Sequence, residues 1–170
     1  MSASKTRVLV AALSLSAVGF IGIVSSEDYV GAAMIPTKGD RPTVGFGSTF
    51  HEDGRPVKLG DTTTPARALV KAQAHIGREE AIFRKSLDGA SLHQEEFDLY
   101  MDWVYQFGTG NWMGSSMRRH ILAGNHAAAC DALLLWKKSA GFDCSIPGNK
   151  VCAGVWTRQL ERHKKCLAVQ

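Results

Sequence analysis

Cysteine is absent from the first 129 residues, and no acidic residue precedes Glu27. The first absence excludes thiol exchange as a switch anywhere in that part of the chain. The second leaves a long stretch with no negative charge at the N-terminus. No C-x-x-C spacing occurs anywhere, which argues against a structural zinc site. The H-E-x-x-H of zinc-dependent hydrolases and the G-x-S-x-G elbow of serine hydrolases are also missing. The six histidines, at 51, 75, 93, 120, 126 and 163, are scattered without ligand spacing, so no metal and no cofactor is expected. There is no internal repeat and no low-complexity tract.

The chain has 170 residues, 45% hydrophobic and 21% charged, which suits one globular domain with a proper core. Its net charge of +4 serves solubility and suits an anionic partner such as nucleic acid, a membrane surface or the acidic polymers of a cell wall. The basic runs "RRH" at 118–120 and "RHKK" at 162–165 lack interleaved aromatics and read as solvated helix faces, so nucleic acid is not expected.

Residues 1–26 read as a targeting segment: Lys5 and Arg7 precede "VLVAALSLSAVGFIGIV", residues 8–24, which carries no charge. The run is a little short of the ~20 residues that cross a bilayer comfortably. A cleaved signal peptide and an uncut signal-anchor both fit; without Ala-x-Ala at the junction, the anchor is the expectation. The basic start then stays in the cytoplasm, and residues 27–170 are exported as one domain.

All four cysteines lie late, in the compartment where disulfides form. Four cysteines allow three pairings. Cys144 and Cys152 bracket the turn-rich "SIPGNKV", and Cys130 and Cys166 sit in two helix-like segments, so the expected bridges are 144–152 and 130–166.

The local patterns predict a helix starting at "SSEDYVGAAM" with Ser25 as cap, then a hairpin made of "RPTVGFGSTF", the turn "HEDG" and "RPVKLG". Helical segments follow. Thr64 and Pro65 open one, and Ser91 with Gln94 reads as a capping box for the next, which places Phe97, Met101, Val104 and Tyr105 on one face. Further helices lie over "SSMRRHILAG", ended by Gly124, over "HAAACDALLLWKK" and over "GVWTRQLERHKKC". A small hairpin before a helical body is an α+β arrangement. The tryptophans at 103, 112, 136 and 156 read mostly as core, with Trp112 in a Gly-rich stretch as the one able to touch a ligand.

Glycosidic cleavage needs a carboxyl that protonates the leaving oxygen and a second that supports the developing cation, activates water or attacks. Glu27, beside the apolar Tyr29, Val30 and Met34, is placed to keep its proton, whereas Asp40, between Lys38 and Arg41 in a turn, is placed to stay ionised. A helix-opening cap and a simple turn are the plainer readings of the same two residues.

The order Glu27, Asp40, Thr43 and "TVGFG" leading into a hairpin resembles the phage-type, T4-lysozyme-like lysozymes of glycoside hydrolase family 24. The segments "YQFGTGNWMGSSMRRHILAGN" and "GVWTRQLERHKKC" extend the likeness over essentially residues 27–167. The resemblance implies a lysozyme-like fold and a muramidase that cleaves the bonds between N-acetylmuramic acid and N-acetylglucosamine in peptidoglycan to lyse a host. It implies Glu27 as general acid, Asp40 as the supporting or water-orienting carboxylate, and Thr43 as the residue holding that water. Gly45, Gly47, Gln106 and Trp112 are the implied substrate-binding positions. Inversion at the anomeric carbon would need carboxyls ~6.5–9.5 Å apart.

The pattern departs in places: Asp40 stands three residues before Thr43, in a longer loop than usual. Gln106 replaces a common Asn, Gln159 replaces the second Arg of the closing helix, and Glu161 is one position off the usual acid. A lytic transglycosylase, which needs one Glu and no Asp, or a membrane-anchored wall-binding module without activity are the alternatives. The N-terminus is similar to that of signal-arrest-release endolysins. That likeness implies an enzyme held in the host inner membrane through residues 8–24, then released to the periplasm, as a monomer.

Overall fold

The computed structural model describes residues 6–36, 39–139 and 141–170. Lys5 and Lys38, used in the sequence reading, lie outside the described residues.

The apolar run at residues 8–24 does not form one helix. It splits into strand β1 (Val8–Leu9), a 3-10 turn over Val10–Ala12, an extended link and helix α1 (Ala17–Ser25). Among the described residues, no helix is long and apolar enough to cross a membrane. The break has a local cause: Ser16 adopts an extended conformation and its hydroxyl accepts from the Gly19 amide, so the helix starts one residue later. Its hydroxyl also donates to Asp98 Oδ2 at 2.5 Å. A Cβ at Gly19 would stand 2.7 Å from the Asp98 carboxyl carbon, so glycine lets α1 lie directly on that residue. Val10 and Ile23 are fully buried in the main core.

The segment after α1 corrects a second expectation. Residues Val30–Met34 form strand β2 rather than a helix, and β2 pairs antiparallel with β3 (Thr43–Gly45), Val30 opposite Gly45 and Met34 opposite Thr43. Serines 25 and 26 therefore lie at the end of a helix, and Glu27 follows it, with its amide donating to the Val24 carbonyl at 3.2 Å. The expected partner of β3, "RPVKLG", pairs instead through the isolated bridge between Phe50 and Pro56, with the Val57 amide donating to the Thr49 carbonyl at 2.9 Å. The "HEDG" turn does form, closed by bonds between His51 and Arg55 and between Gly54 and His51. The other side of β2 is lined by residues 61–63, through Ala33 to Asp61 and Thr63 to Gly31.

Helix α2 (Pro65–Ser86) starts as its sequence dictates, with the Thr64 hydroxyl accepting from the Arg67 amide and Pro65 at the first position. Strand β4 (Ser91–Leu92) pairs with β1, and α3 (Gln94–Phe107) follows. The cap of α3 is His93, two residues beyond the expected Ser91: its amide donates to Glu96 Oε2 at 2.8 Å. Ser91 is used instead for pairing with the N-terminal strand. Helices α4 (Thr109–Gly114), α5 (Ser116–Leu122) and α6 (His126–Ala132), the small hairpin β5 (Lys138–Ser139) and β6 (Phe142–Asp143), and α7 (Ala153–Leu167) complete the α+β body. Both expected disulfides are present, Cys130–Cys166 tying α6 to α7 and Cys144–Cys152 closing the loop before α7.

The core is aromatic. Phe83, Phe97, Tyr100, Trp103 and Trp112 are fully buried, with ring centroids 5.2 Å apart for Phe83–Phe97 and 4.8 Å for Phe83–Trp112. Trp112 was the tryptophan expected to touch a ligand; it is instead a core residue, its indole N–H donating to the Ser86 hydroxyl at 2.8 Å. In the short helix α4 the ring turns inward, because the aromatic cluster gives it more buried contact than a surface would.

Beneath β1, the carboxylate of Glu96 is completely buried and takes bonds from Arg7, Gln170 and the His93 amide. Burial pushes its pKa up, but these donors outweigh burial and leave it below the ordinary 4.5. Its contribution to stability is therefore present above pH 4.5 and lost as pH falls through the folded value. Burial lowers His126 below the usual 6.5, so its charging also opposes folding as pH drops below 6.5. Arg7→Ala leaves the buried carboxylate without its cation. We expect it to cost about 3 kcal/mol at neutral pH, read as a lower urea midpoint, and to weaken the loss of stability below pH 4.5.

Candidate active site

Glu27 sits where the link after α1 meets α3, α7 and the turn after β3. Its side chain is 30% exposed. Oε1 lies 3.5 Å from Nη1 of Arg158 on α7, and Oε2 faces Gly47, where a Cβ would stand 3.9 Å away. Gly47 has φ of 75°, in the left-handed region that a side chain would strain, so glycine both makes the turn and keeps space open before the carboxyl. Gly45, at φ 69°, faces α2 instead: a Cβ there would meet that of Ala68 at 2.9 Å. It serves the packing of β3 on α2.

The Glu27 carboxyl holds its proton more firmly than an ordinary glutamate. Burial is the largest cause; Arg158 opposes it, and the negative charges of Asp102 and Asp28 add to it. The expected direction is found; the charges acting on the carboxyl are those of Asp102 on α3, Arg158 on α7 and Asp28, and the Tyr105 phenol lies close enough to feel its charge. Burial and the charge of Glu27 push the Tyr105 phenol up to about 12, and its hydroxyl donates to the Phe46 carbonyl at 3.0 Å. This bond ties α3 to the Gly-flanked turn opposite Glu27.

Arg158 is shared. Its Nη2 donates to Asp102 Oδ1, and Asp102 Oδ2 accepts from Arg162 Nε at 2.6 Å. Arg162 is only 3% exposed, which overturns the reading of "RHKK" as a solvated face at its first residue. Its Nη1 also donates to Gln106 Oε1 and Gln159 Oε1, each at 2.6 Å. Gln106, expected among the substrate-binding positions, thus has its carbonyl oxygen engaged by a buried cation. Gln159 is fully buried and donates to the carbonyls of Leu133 and Trp136. The sequence reading passed over Asp102, Arg158 and Arg162 as site residues. The signal was present in the acid on α3 and the i, i+4 pair of arginines on α7, which only α3–α7 packing brings together.

Asp40 lies in an exposed bend and Thr43 begins β3, half-buried, with its hydroxyl 3.5 Å from the Met34 carbonyl. Among the described residues, no group of three or more His, Cys, Asp or Glu side chains is arranged to hold a metal ion.

This fold has known counterparts. Residues 27–162 match the Phage lysozyme family, and the chain belongs to it. It is a glycoside hydrolase, a peptidoglycan-hydrolysing muramidase of host lysis. The chain is similar to the endolysin of Salmonella phage P22, 36% identical over 107 residues, covering 62% of this chain and 70% of that one. A SAR-endolysin of Enterobacteria phage PA-2 is 26% identical over 160 residues, 92% of this chain and 88% of its own. Among solved structures, the endolysin from Escherichia coli O157:H7 phage FAHEc1 superimposes with a TM-score of 0.76 at 25% identity, covering 92% of this chain and 94% of that one.

Proposed function

We propose that Glu27 is the general acid of this lysozyme and that Asp40 and Thr43 serve the water. The Glu27 proton passes to the glycosidic oxygen as the bond from the anomeric carbon to that oxygen breaks. The Asp40 carboxylate supports the positive charge growing on the ring and takes a proton from the attacking water, which the Thr43 hydroxyl holds; the water oxygen then bonds the anomeric carbon. The observation that carries this reading is the raised proton affinity of a half-buried Glu27 beside the open face of Gly47. Gly47 and Gln106 belong to the proposed sugar-binding surface, Gln106 through its amide N–H groups. Gly45 supports that surface from the α2 side.

The N-terminal segment belongs to the same proposal. Residues 8–24 hold the exported enzyme in the host inner membrane, and on release to the periplasm they fold into the core, where Val10 and Ile23 are buried. The SAR-endolysin relatives support this order of events. The enzyme acts as a monomer.

Product analysis tests the catalytic assignment. Purified peptidoglycan digested by the protein is expected to yield reducing muramic acid ends, and Asp40→Asn to lose at least a hundredfold in rate. Anhydro-muramic ends, or an Asp40→Asn variant of full rate, would replace hydrolysis by a transglycosylase reading in which Asp40 has no part.

A further inference from the structure

The charged groups around Glu27 form a graded series. Arg158 lies between two carboxylates, with Glu27 Oε1 3.5 Å from Nη1 and Asp102 Oδ1 bonded to Nη2. Asp102 lies between two guanidinium groups, bonding Arg158 with one oxygen and Arg162 with the other. Arg162 in turn is held by Gln106, Gln159 and the Asp102 carbonyl, and Gln159 is anchored to the turn at residues 133–136. A buried cation with that many fixed acceptors does not swing away when a neighbour changes.

We propose that Asp102 and Arg162 are positioning residues for the reaction, setting how much of the Arg158 cation reaches Glu27. Asp102 draws the guanidinium onto itself and so leaves the Glu27 carboxyl less neutralised and readier to keep its proton. Arg162 moderates that pull by occupying the second oxygen of Asp102. The inference rests on the reading of Glu27 as general acid. The other charges acting on Glu27 are those of Asp28 beside it in the chain and of Arg162 across the pair, and the Tyr105 hydroxyl is a further titratable neighbour.

The arrangement makes the two removals opposite in sign. In Asp102→Asn, Arg158 is freed to pair with Glu27, so the acid loses its proton at lower pH. In Arg162→Gln, the full charge of Asp102 falls on Arg158 and Glu27, so the acid keeps its proton to higher pH. In Asp102→Asn, Arg162 keeps the two glutamine oxygens and the residue 102 carbonyl; in Arg162→Gln, Asp102 keeps Arg158, while the Gln106 and Gln159 oxygens lose the guanidinium.

The test is the pH profile of kcat/KM on soluble glycan fragments, with thermal unfolding recorded for each variant at the assay pH. On the alkaline limb, Asp102→Asn is expected to lose roughly threefold to tenfold, with little change on the plateau below it, while Arg162→Gln moves the limb the other way. Asp102→Glu should restore the wild-type limb in part. A limb that stays in place in both variants while the plateau drops would reduce the two residues to structural supports and overturn the proposal. A wild-type profile with no limb that Glu27→Gln removes would instead overturn the reading of Glu27 itself.

Discussion

Replacing Glu27 by Gln is expected to abolish wall clearing, with a loss of about 10²–10⁴-fold or more in glycan hydrolysis, while the protein stays folded. Glutamine keeps the shape and can still accept from Arg158, but it has no transferable acidic proton. The stability outcome follows from the direction of the shift. The folded carboxyl holds its proton more tightly than 4.5, so its contribution to stability is full below pH 4.5 and is lost as pH rises through the folded value. As pH rises above 4.5, the cost of ionising this half-buried carboxyl works against folding, and the neutral amide avoids that cost. The melting temperature of Glu27→Gln at pH 7 should equal or exceed that of the wild type. An inactive variant at least as stable as its parent would separate chemistry from folding. Retained clearing, or a melting temperature several degrees lower, would contradict this account of the site.

The second large effect concerns the N-terminus. A chain starting at Glu27 removes Val10, Leu13, Ile23 and Val24 from the buried set, along with the Arg7–Glu96 pair and the Ser16–Asp98 contacts. Each buried aliphatic side chain contributes ~1.5–3 kcal/mol, so the loss is roughly 6–12 kcal/mol, comparable with the whole stability of a domain of this size. Residues 27–170 alone should show no cooperative thermal transition, expose apolar surface to a dye such as ANS, and clear no cell walls. Adding residues 6–26 back as part of the same chain should restore all three properties. Single-residue variants grade the effect: Ile23→Ala, at a fully buried position, is expected to cost about 3 kcal/mol. A fully active, cooperatively folding 27–170 chain would make residues 6–26 an accessory to the domain rather than part of its core.

The second experiment also shows what the hydrophobic run conceals. Residues 8–24 carry no charge, and a run of that composition is selected alike by a membrane and by a protein core. Periodicity carries no information about which of them is chosen. What divides the run in the folded chain is Ser16, whose hydroxyl caps α1 while bonding Asp98, eighty-two residues away. The same kind of distant choice converted Val30–Met34 to a strand: a serine, an acid and a following apolar group make a reasonable helix start, but pairing with Thr43–Gly45 on one side and residues 61–63 on the other outweighs that weak preference.

The sequence by itself determined what depends on neighbours within one turn. Thr64 and Pro65 open α2, Ser115 caps α5 and Gly124 ends it in the left-handed region, because caps and terminators act through bonds spanning three or four residues. Four cysteines set late in the chain leave three pairings, and the expected one, 130–166 with 144–152, is the one that forms. The sequence also pointed to Glu27 as a carboxyl that holds its proton, and the direction found is the expected one. Only the tertiary structure decided which groups stand around that carboxyl. Asp102, Arg158 and Arg162 come together because α3 packs on α7, and Trp112 turns into the aromatic core because four other rings are already there. Such contacts join different helices, at a separation of 56 positions between Asp102 and Arg158, and no local pattern encodes them.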